Sequence, residues 1–372
     1  MAETVALLGT FETKPEELHA LSNMLTGRGL KVLSFDLSLS SGGDVLPGEE
    51  KLRRMAAMVE QTSAGIVEAA PDAVLAIGGG TGSEMALRAM RALPLGLPKF
   101  LITTLPFDPR AALADNDVTL IPTLCDIQGM NAPLRRIFHR TATMVAAAAR
   151  ALPEDEATRR AVAVSLLGVT QQAGEKILQR LRDAGQETAT FHSNGFGGAA
   201  LARFAAGGAL SGVIDMTVNE IVRMHVAGAH VPMPTRFTCA AALPRIVLPG
   251  TLSFLDGGVR DQMPEAYKAR PHYRQSSYFT HVQLTEAEMD RAARALAADL
   301  NTSSAHCEVL VPMGGFSSED RPGGAIESLA LREQAAEIFE AEARAFTVTR
   351  LPYHIADQET ADEAVSRLLR HL

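Results

Sequence analysis

The chain predicts an α/β fold of two tandem doubly wound, Rossmann-like domains with mostly parallel sheets. Three observations lead there. Short, almost wholly apolar runs alternate with amphipathic helical stretches, the pattern of parallel strands covered on both faces. The alternation breaks at a segment rich in charge and proline, "LPEDEATRR" (152–160), and then begins again. A length of 372 residues also exceeds what one ordinary core organises.

The elements follow in order. "TVALLG" (4–9), "KVLSFD" (31–36), "AVLAIG" (73–78), "KFLITT" (99–104) and "VTLIP" (118–122) read as buried strands. Between them "PEELHALSNMLTGRG", "EEKLRRMAAMVEQTSAGIVEAA" and "SEMALRAMRALPLG" carry helical spacing, and a helix near 133–151 closes the unit. This is the first domain, 1–155. The second domain, 156–372, restarts with strands at 161–168, 187–192, 211–217, 244–250, 307–315 and 346–352. Helices are expected over 173–184, 286–300, 329–344 and 360–371. Thr285-x-x-Glu288 and Thr360-x-x-Glu363 have the form of capping boxes, in which side chain and backbone satisfy each other's donors.

Composition narrows the function. Hydrophobic residues make up 47% and charged residues 21%, as in a soluble globular protein, and the net charge of −8 with no basic stripe argues against nucleic acid as a partner. Cys125, Cys239 and Cys307 are odd in number and contain no C-x-x-C pair, which suits a reducing compartment. With no basic leader and no run of about 18 apolar residues, the expectation is a cytoplasmic protein without a membrane partner. G-x-S-x-G and H-E-x-x-H are both absent.

Ligands of open parallel sheets bind at the carboxyl ends of the strands. In the first domain those ends supply Gly9, Thr10, Asp36, Thr103, Thr104 and the run Gly78, Gly79, Gly80, Thr81, Gly82, Ser83. Amides of a glycine loop at a helix start can hold phosphate, and Asp36 could accept from a ribose hydroxyl. The same glycines could serve only to turn a strand tightly into a helix. Thr81-x-x-Glu84 is itself a capping-box pattern, and an ionised Glu84 there would compete with phosphate for the amides. In the second domain, polar loops place Thr170, Ser193, Asn194, Gly197, Gly198, Thr217, Gly314, Gly315 and Ser317 as candidates for a small anionic ligand. His192 and Glu220 are the candidate acid–base pair, with His281 and His354 ranked below. A metal entering with a nucleotide, such as Mg²⁺, would leave little trace.

Taken together, "LLGTFETKPEEL" (7–18), "IGGGTGSEMALRAMRALPLGLPKFLITT" (77–104), "CDIQGMNAPLRRI" (125–137), "GVTQQAGEKIL" (168–178), "FHSNGFGGAALARF" (191–204), "GVIDMTVNEI" (212–221), "VLPGTLSFLD" (247–256) and "VPMGGFSSEDRPGG" (311–324) resemble the Tm-one-like ATP-binding domain family. Its members are bacterial and fungal relatives of the amino-terminal region of a tomato mosaic virus resistance protein. The resemblance implies two Rossmann-like subdomains, an ATP site in the first and a homodimer. It places Gly9, Thr10, Gly78, Gly79, Gly82, Ser83 and Thr103 where the family's glycine and hydroxyl loops lie. Thr81, Glu84 and "LPFDPR" (105–110) depart from the family pattern. The leading expectation is a nucleotide-binding enzyme acting on a small anionic metabolite in the second domain or the interdomain cleft. The alternatives are a dimeric protein-binding module stabilised by nucleotide, and a nucleotide-independent lyase, isomerase or hydrolase.

Overall fold

The computed structural model describes residues 2–42, 44–151 and 160–372. The chain forms two compact units. The division expected between 155 and 156 lies outside the described residues.

The first unit runs β1 (Thr4–Gly9), α1 (Pro15–Thr26), β2 (Lys31–Asp36), α2 (Gly48–Ala69), β3 (Ala73–Gly78), α3 (Gly80–Met90), β4 (Lys99–Thr103), α4 (Arg110–Leu113), β5 (Val118–Pro122) and α5 (Ala132–Arg150). Its sheet has the order β2-β1-β3-β4-β5 with every pair parallel. Successive side chains of a strand point to opposite faces. Thus Val5 and Leu7 pack with Leu18 and Leu21 of α1 and Phe138 of α5, whereas Ala6 and Leu8 pack with Met55 of α2 and Met85 of α3. Both faces are covered at the centre of the sheet, which is why β1 and β3 are apolar almost throughout, whereas the edge strand β2 keeps Lys31, Ser34 and Asp36 exposed. Because β2 and β3 flank β1 on opposite sides, the loops leaving β1 and β3 diverge and open a crevice at the carboxyl edge.

The second unit runs β6 (Ala161–Leu166), α6 (Gln171–Asp183), β7 (Thr188–His192), α7 (Gly197–Ala206), β8 (Leu210–Thr217), α8 (Asn219–His225), β9 (Arg245–Gly250), β10 (Phe254–Asp256), α9 (Glu265–Lys268), β11 (His272–Arg274), β12 (Thr280–Gln283), α10 (Glu286–Leu300), β13 (Cys307–Pro312), α11 (Leu329–Glu342), β14 (Thr347–Leu351) and α12 (Gln358–Leu369). Its six-stranded parallel sheet has the order β14-β13-β9-β8-β6-β7, again with a reversal, here between β6 and β8. Val162, Ile214, Ile246 and Leu310 pack under α6 and α12, and Val247, Val309 and Val311 under α10 and α11.

Several local expectations change. The strand expected over 161–168 ends at Leu166, because Thr170 Oγ1 accepts from the Leu167 amide at 3.0 Å and folds the chain into a tight turn. The strand expected over 307–315 ends at Pro312. A three-stranded antiparallel sheet, β10-β12-β11, was not foreseen; its strands are too short to display a period. The box at Thr285 forms, with Glu288 N donating to Thr285 Oγ1 at 3.3 Å and Thr285 N to Glu288 Oε2 at 2.8 Å. The box at Thr360 does not. Helix α12 has already begun at Gln358, so the Thr360 hydroxyl donates back to the His354 carbonyl at 2.9 Å, and Glu363 pairs with Arg367 at 2.7 Å. No helix among the described residues is long and apolar enough to cross a membrane.

Candidate functional site

A cavity of about 470 Å³ opens at the strand reversal of the first unit. Its walls come from the loops after β1 (Thr10, Glu12, Thr13, Lys14), after β2 (Ser38, Leu39, Ser41, Asp44, Val45, Leu46), from Lys51 on the first turns of α2, and from Gly79 to Gly82. That volume is within the usual range for small-molecule sites, roughly 300–1,000 Å³.

Helix α3 begins at Gly80 with Gly79 as its N-cap, and no side chain caps it. The first four amides of a helix have no partner within it. Here the Gly79, Gly80, Thr81 and Gly82 amides find no acceptor in the protein among the described residues, while Ser83 N already donates to the Gly79 carbonyl at 2.9 Å. The capping box expected at Thr81 and Glu84 is therefore not made. Glu84 is instead half-exposed and leans along the helix to Arg88, at 3.6 Å, as an i,i+4 pair. It does not compete for the loop amides. Glu84→Ala should accordingly leave ligand affinity at this cavity unchanged within about twofold, and change stability by less than about 0.5 kcal/mol. Titration calorimetry on the two proteins would check this, and a marked gain in affinity for the variant would contradict the geometry.

The remaining first-unit candidates brace the loop more than they line it. Ser83 and Thr103 are fully buried and bonded hydroxyl to hydroxyl at 2.7 Å; Ser83 also donates to the Gly78 carbonyl, and Thr103 accepts from Leu105 N. At Gly78 a Cβ would stand 2.6 Å from the Ser83 amide, so the turn requires glycine there. Gly9, whose Cβ would strike Leu18, and Thr104 are likewise absent from the cavity wall. Asp36 also lies outside it. Its Oδ1 accepts from Phe11 N at 3.0 Å, Ser38 N at 2.8 Å and Ser38 Oγ at 2.6 Å, tying the β1 and β2 loops together. Two cations that the strand-end argument passed over do line the wall. Lys14 gives one hydrogen bond to the Ile127 carbonyl at 2.5 Å, and Lys51 makes no ion pair among the described residues. Lys14 lies inside the quoted "LLGTFETKPEEL"; nothing in the spacing connects Lys51 to the glycine run.

The second unit shows the occlusion once expected at Glu84. Glu220, at the start of α8, is fully buried, and its Oε1 accepts from Gly195 N at 3.2 Å and Gly198 N at 3.0 Å. Asn194 Oδ1 takes the Phe196 and Gly197 amides, so the start of α7 is satisfied from within. A Cβ at Gly198 would overlap the Glu220 carboxylate and the Arg236 side chain. Glu220 Oε2 receives Arg236 Nε at 2.6 Å. Both Glu220 oxygens are thus taken by donors of the protein itself, and the side chain is turned away from solvent. His192 stands at the end of β7 and is exposed, and among the described residues none of this network reaches its ring. The two are therefore not joined as an acid–base pair.

Behind Glu220 lies a buried charge network. Asp215 on β8 accepts from Arg236 at 2.8 and 2.7 Å, from Arg245, and from Ser165 Oγ at 2.6 Å. Burial alone would push the Asp215 carboxyl up; the two guanidinium charges and these hydrogen bonds outweigh it and hold the group well below the usual carboxylate range. Thr217, Ser193 and Thr170 join the same network: Ser193 Oγ donates to the Thr217 carbonyl at 3.0 Å, and the Thr170 and Thr217 hydroxyls are 3.1 Å apart. All three are buried. Gly314, Gly315 and Ser317 sit inside the turn after β13, with Ser317 fully buried. Among the described residues no group of three His, Cys, Asp or Glu side chains is arranged to hold a metal ion.

Comparison with known proteins agrees with the two-unit organisation. The N-terminal domain of the uncharacterised protein family (UPF0261) matches residues 40–154, and its C-terminal domain matches residues 159–372. A UPF0261 protein of Rhizobium meliloti is 30% identical over 97% of both chains, and one of Mesorhizobium japonicum is 31% identical over 98% of both. The ToMV resistance protein Tm-1 of Solanum lycopersicum is 28% identical over 80% of this chain, which spans 41% of that protein.

Proposed function

The chain belongs to the uncharacterised protein family UPF0261, and on that premise we propose that its first unit binds a nucleotide, ATP being the form to test first. The supporting observation is the set of four uncapped amides, Gly79 to Gly82, opening onto a cavity at the strand reversal. Amides at a helix start attract anions through their own partial charge and through the helix dipole. Lys14 and Lys51 supply positive charge on the same wall, and Thr10, Thr13 and Thr81 supply hydroxyls suited to phosphate oxygens or to a Mg²⁺ carried with them. Leu39, Val45 and Leu46 give the apolar surface on which a base can lie. This assignment replaces Asp36, Ser83 and Thr103 with Lys14, Lys51 and the loop backbone as the principal contacts.

The test is titration calorimetry with ATP and ADP at millimolar concentration, with and without Mg²⁺. Saturable binding is expected for the natural protein. Lys51→Met should weaken it about tenfold or more, because a charge-assisted hydrogen bond contributes about 1.5–3 kcal/mol. Absence of heat with every nucleotide, or an unaltered affinity in Lys51→Met, would refute the reading.

A further inference from the structure

A second cavity, of about 330 Å³, lies in the other unit against the loop that follows β13. Its wall is Tyr273, Ser318, Glu319, Arg321 and the glycine-rich turn 322–325. The loop is built around a buried ion pair. Asp320 is fully buried, receives Arg332 at 2.6 Å, and accepts from the amides of Phe316 at 3.1 Å and Ser328 at 3.2 Å. With Asp320 anchored inward, its neighbours on either side, Glu319 and Arg321, are carried to the cavity.

Glu319 is held on its other side by His281. The His281 Nδ1 and Glu319 Oε2 atoms are 2.7 Å apart, and their side chains are 12% and 6% exposed. An ionised carboxylate only accepts, so Nδ1 carries the hydrogen and donates it. The imidazole is fixed from behind by Phe254, which stacks on it at 4.2 Å with 20° between the planes. His281 lies directly across the ladder from Tyr273, which puts both side chains on one face of the antiparallel sheet. Arg321, exposed on the cavity wall, makes no ion pair among the described residues. An oriented carboxylate and an unengaged guanidinium thus share one small concavity.

We propose that this cavity is a ligand site for a small carboxylate carrying a hydroxyl or ammonium group on the adjacent carbon. Arg321 takes the carboxylate, as a planar fork suited to two oxygens. Glu319 accepts the hydrogen bond of the neighbouring donor, and His281 is a positioning residue that fixes which Glu319 oxygen faces the ligand. The site shares no residue with the nucleotide cavity and does not depend on it.

Calorimetry of the full chain with 2-hydroxybutyrate, 2-aminobutyrate and butyrate, at millimolar concentration, tests this. The hydroxyl or ammonium compound should bind about tenfold or more tightly than butyrate, since an unmet buried acceptor discriminates strongly. Arg321→Met should weaken all three while leaving ATP titration and melting temperature unchanged. Glu319→Gln should abolish the preference over butyrate. His281→Ala should also erode that preference and His281→Asn restore part of it, which a purely structural role for His281 would not produce. Failure of the natural protein to bind any of the three, equal binding of butyrate, or natural affinities in Arg321→Met or Glu319→Gln would overturn the proposal.

Discussion

Asp215→Ala is expected to cost the second unit about 3–5 kcal/mol, because it leaves buried guanidinium charge without its counter-charge. Arg236 and Arg245 are 0% and 1% exposed, and Asp215 receives hydrogen bonds from both. Glu220 would still face Arg236, but Arg245 would lose the one carboxylate it is paired with among the described residues. Against a usual total of about 5–15 kcal/mol, that loss brings the unit close to unfolding. Urea denaturation of the natural chain and of Asp215→Asn, which keeps the shape and removes the charge, measures the effect; midpoints within error of each other would contradict it. The pH dependence has a definite sign. The folded carboxyl titrates well below the ordinary value, so its stabilisation is complete above the usual carboxylate range, near pH 4, and is lost as pH falls toward the depressed folded value. Asp215→Asn should lack that portion of the acid limb.

The second large effect is expected at Gly315. Its φ is +139°, a conformation that side-chain-bearing residues rarely adopt, and a Cβ there would overlap the Asp320 carbonyl and lie 2.6 Å from His354 Cδ2. Neither neighbour can yield cheaply. Asp320 is held by Arg332 and two amides, and His354 Nε2 donates to the Ser317 carbonyl at 2.9 Å while its Nδ1 accepts from Ala356 N at 3.0 Å. Gly315→Ala should cost about 1–3 kcal/mol for the backbone and about 1–3 kcal/mol for overpacking. At about 2–4 °C per kcal/mol for a unit of this size, the melting temperature should fall visibly. Binding at the Glu319–Arg321 cavity should weaken with it, because the same turn carries both residues. A variant that melts with the natural protein would show that the turn can relax.

Much of the fold was legible in the chain. Every parallel strand was anticipated within about two residues, apart from the carboxyl end at Pro312. Apolar strands such as "AVLAIG" announce themselves because a sheet covered on both faces has no wet side to encode. The glycine run at 78–82 was singled out as the turn from strand to helix, but α3 begins inside it, at Gly80, and not at Ser83. The second-unit loops were harder. "FHSNGFGG" reads as an open polar loop, yet its glycines begin α7 and admit the Glu220 and Arg236 side chains. Gly, Ser and Asn are favoured equally where a ligand approaches backbone and where another part of the protein does. Composition cannot separate the two.

What the linear order determined is whatever depends on near neighbours: strand and helix alternation, and the capped start of α10. These follow from side-chain spacing and backbone preference over a few residues. Only the tertiary structure decided which carboxylate meets which donor. Glu84 turned to Arg88 within its own helix, whereas Glu220 reached back 25 residues to Gly195 and Glu319 reached back 38 to His281. Charges and amides act through space, and the distances that set their energies exist only once the sheets have brought remote loops to a common edge.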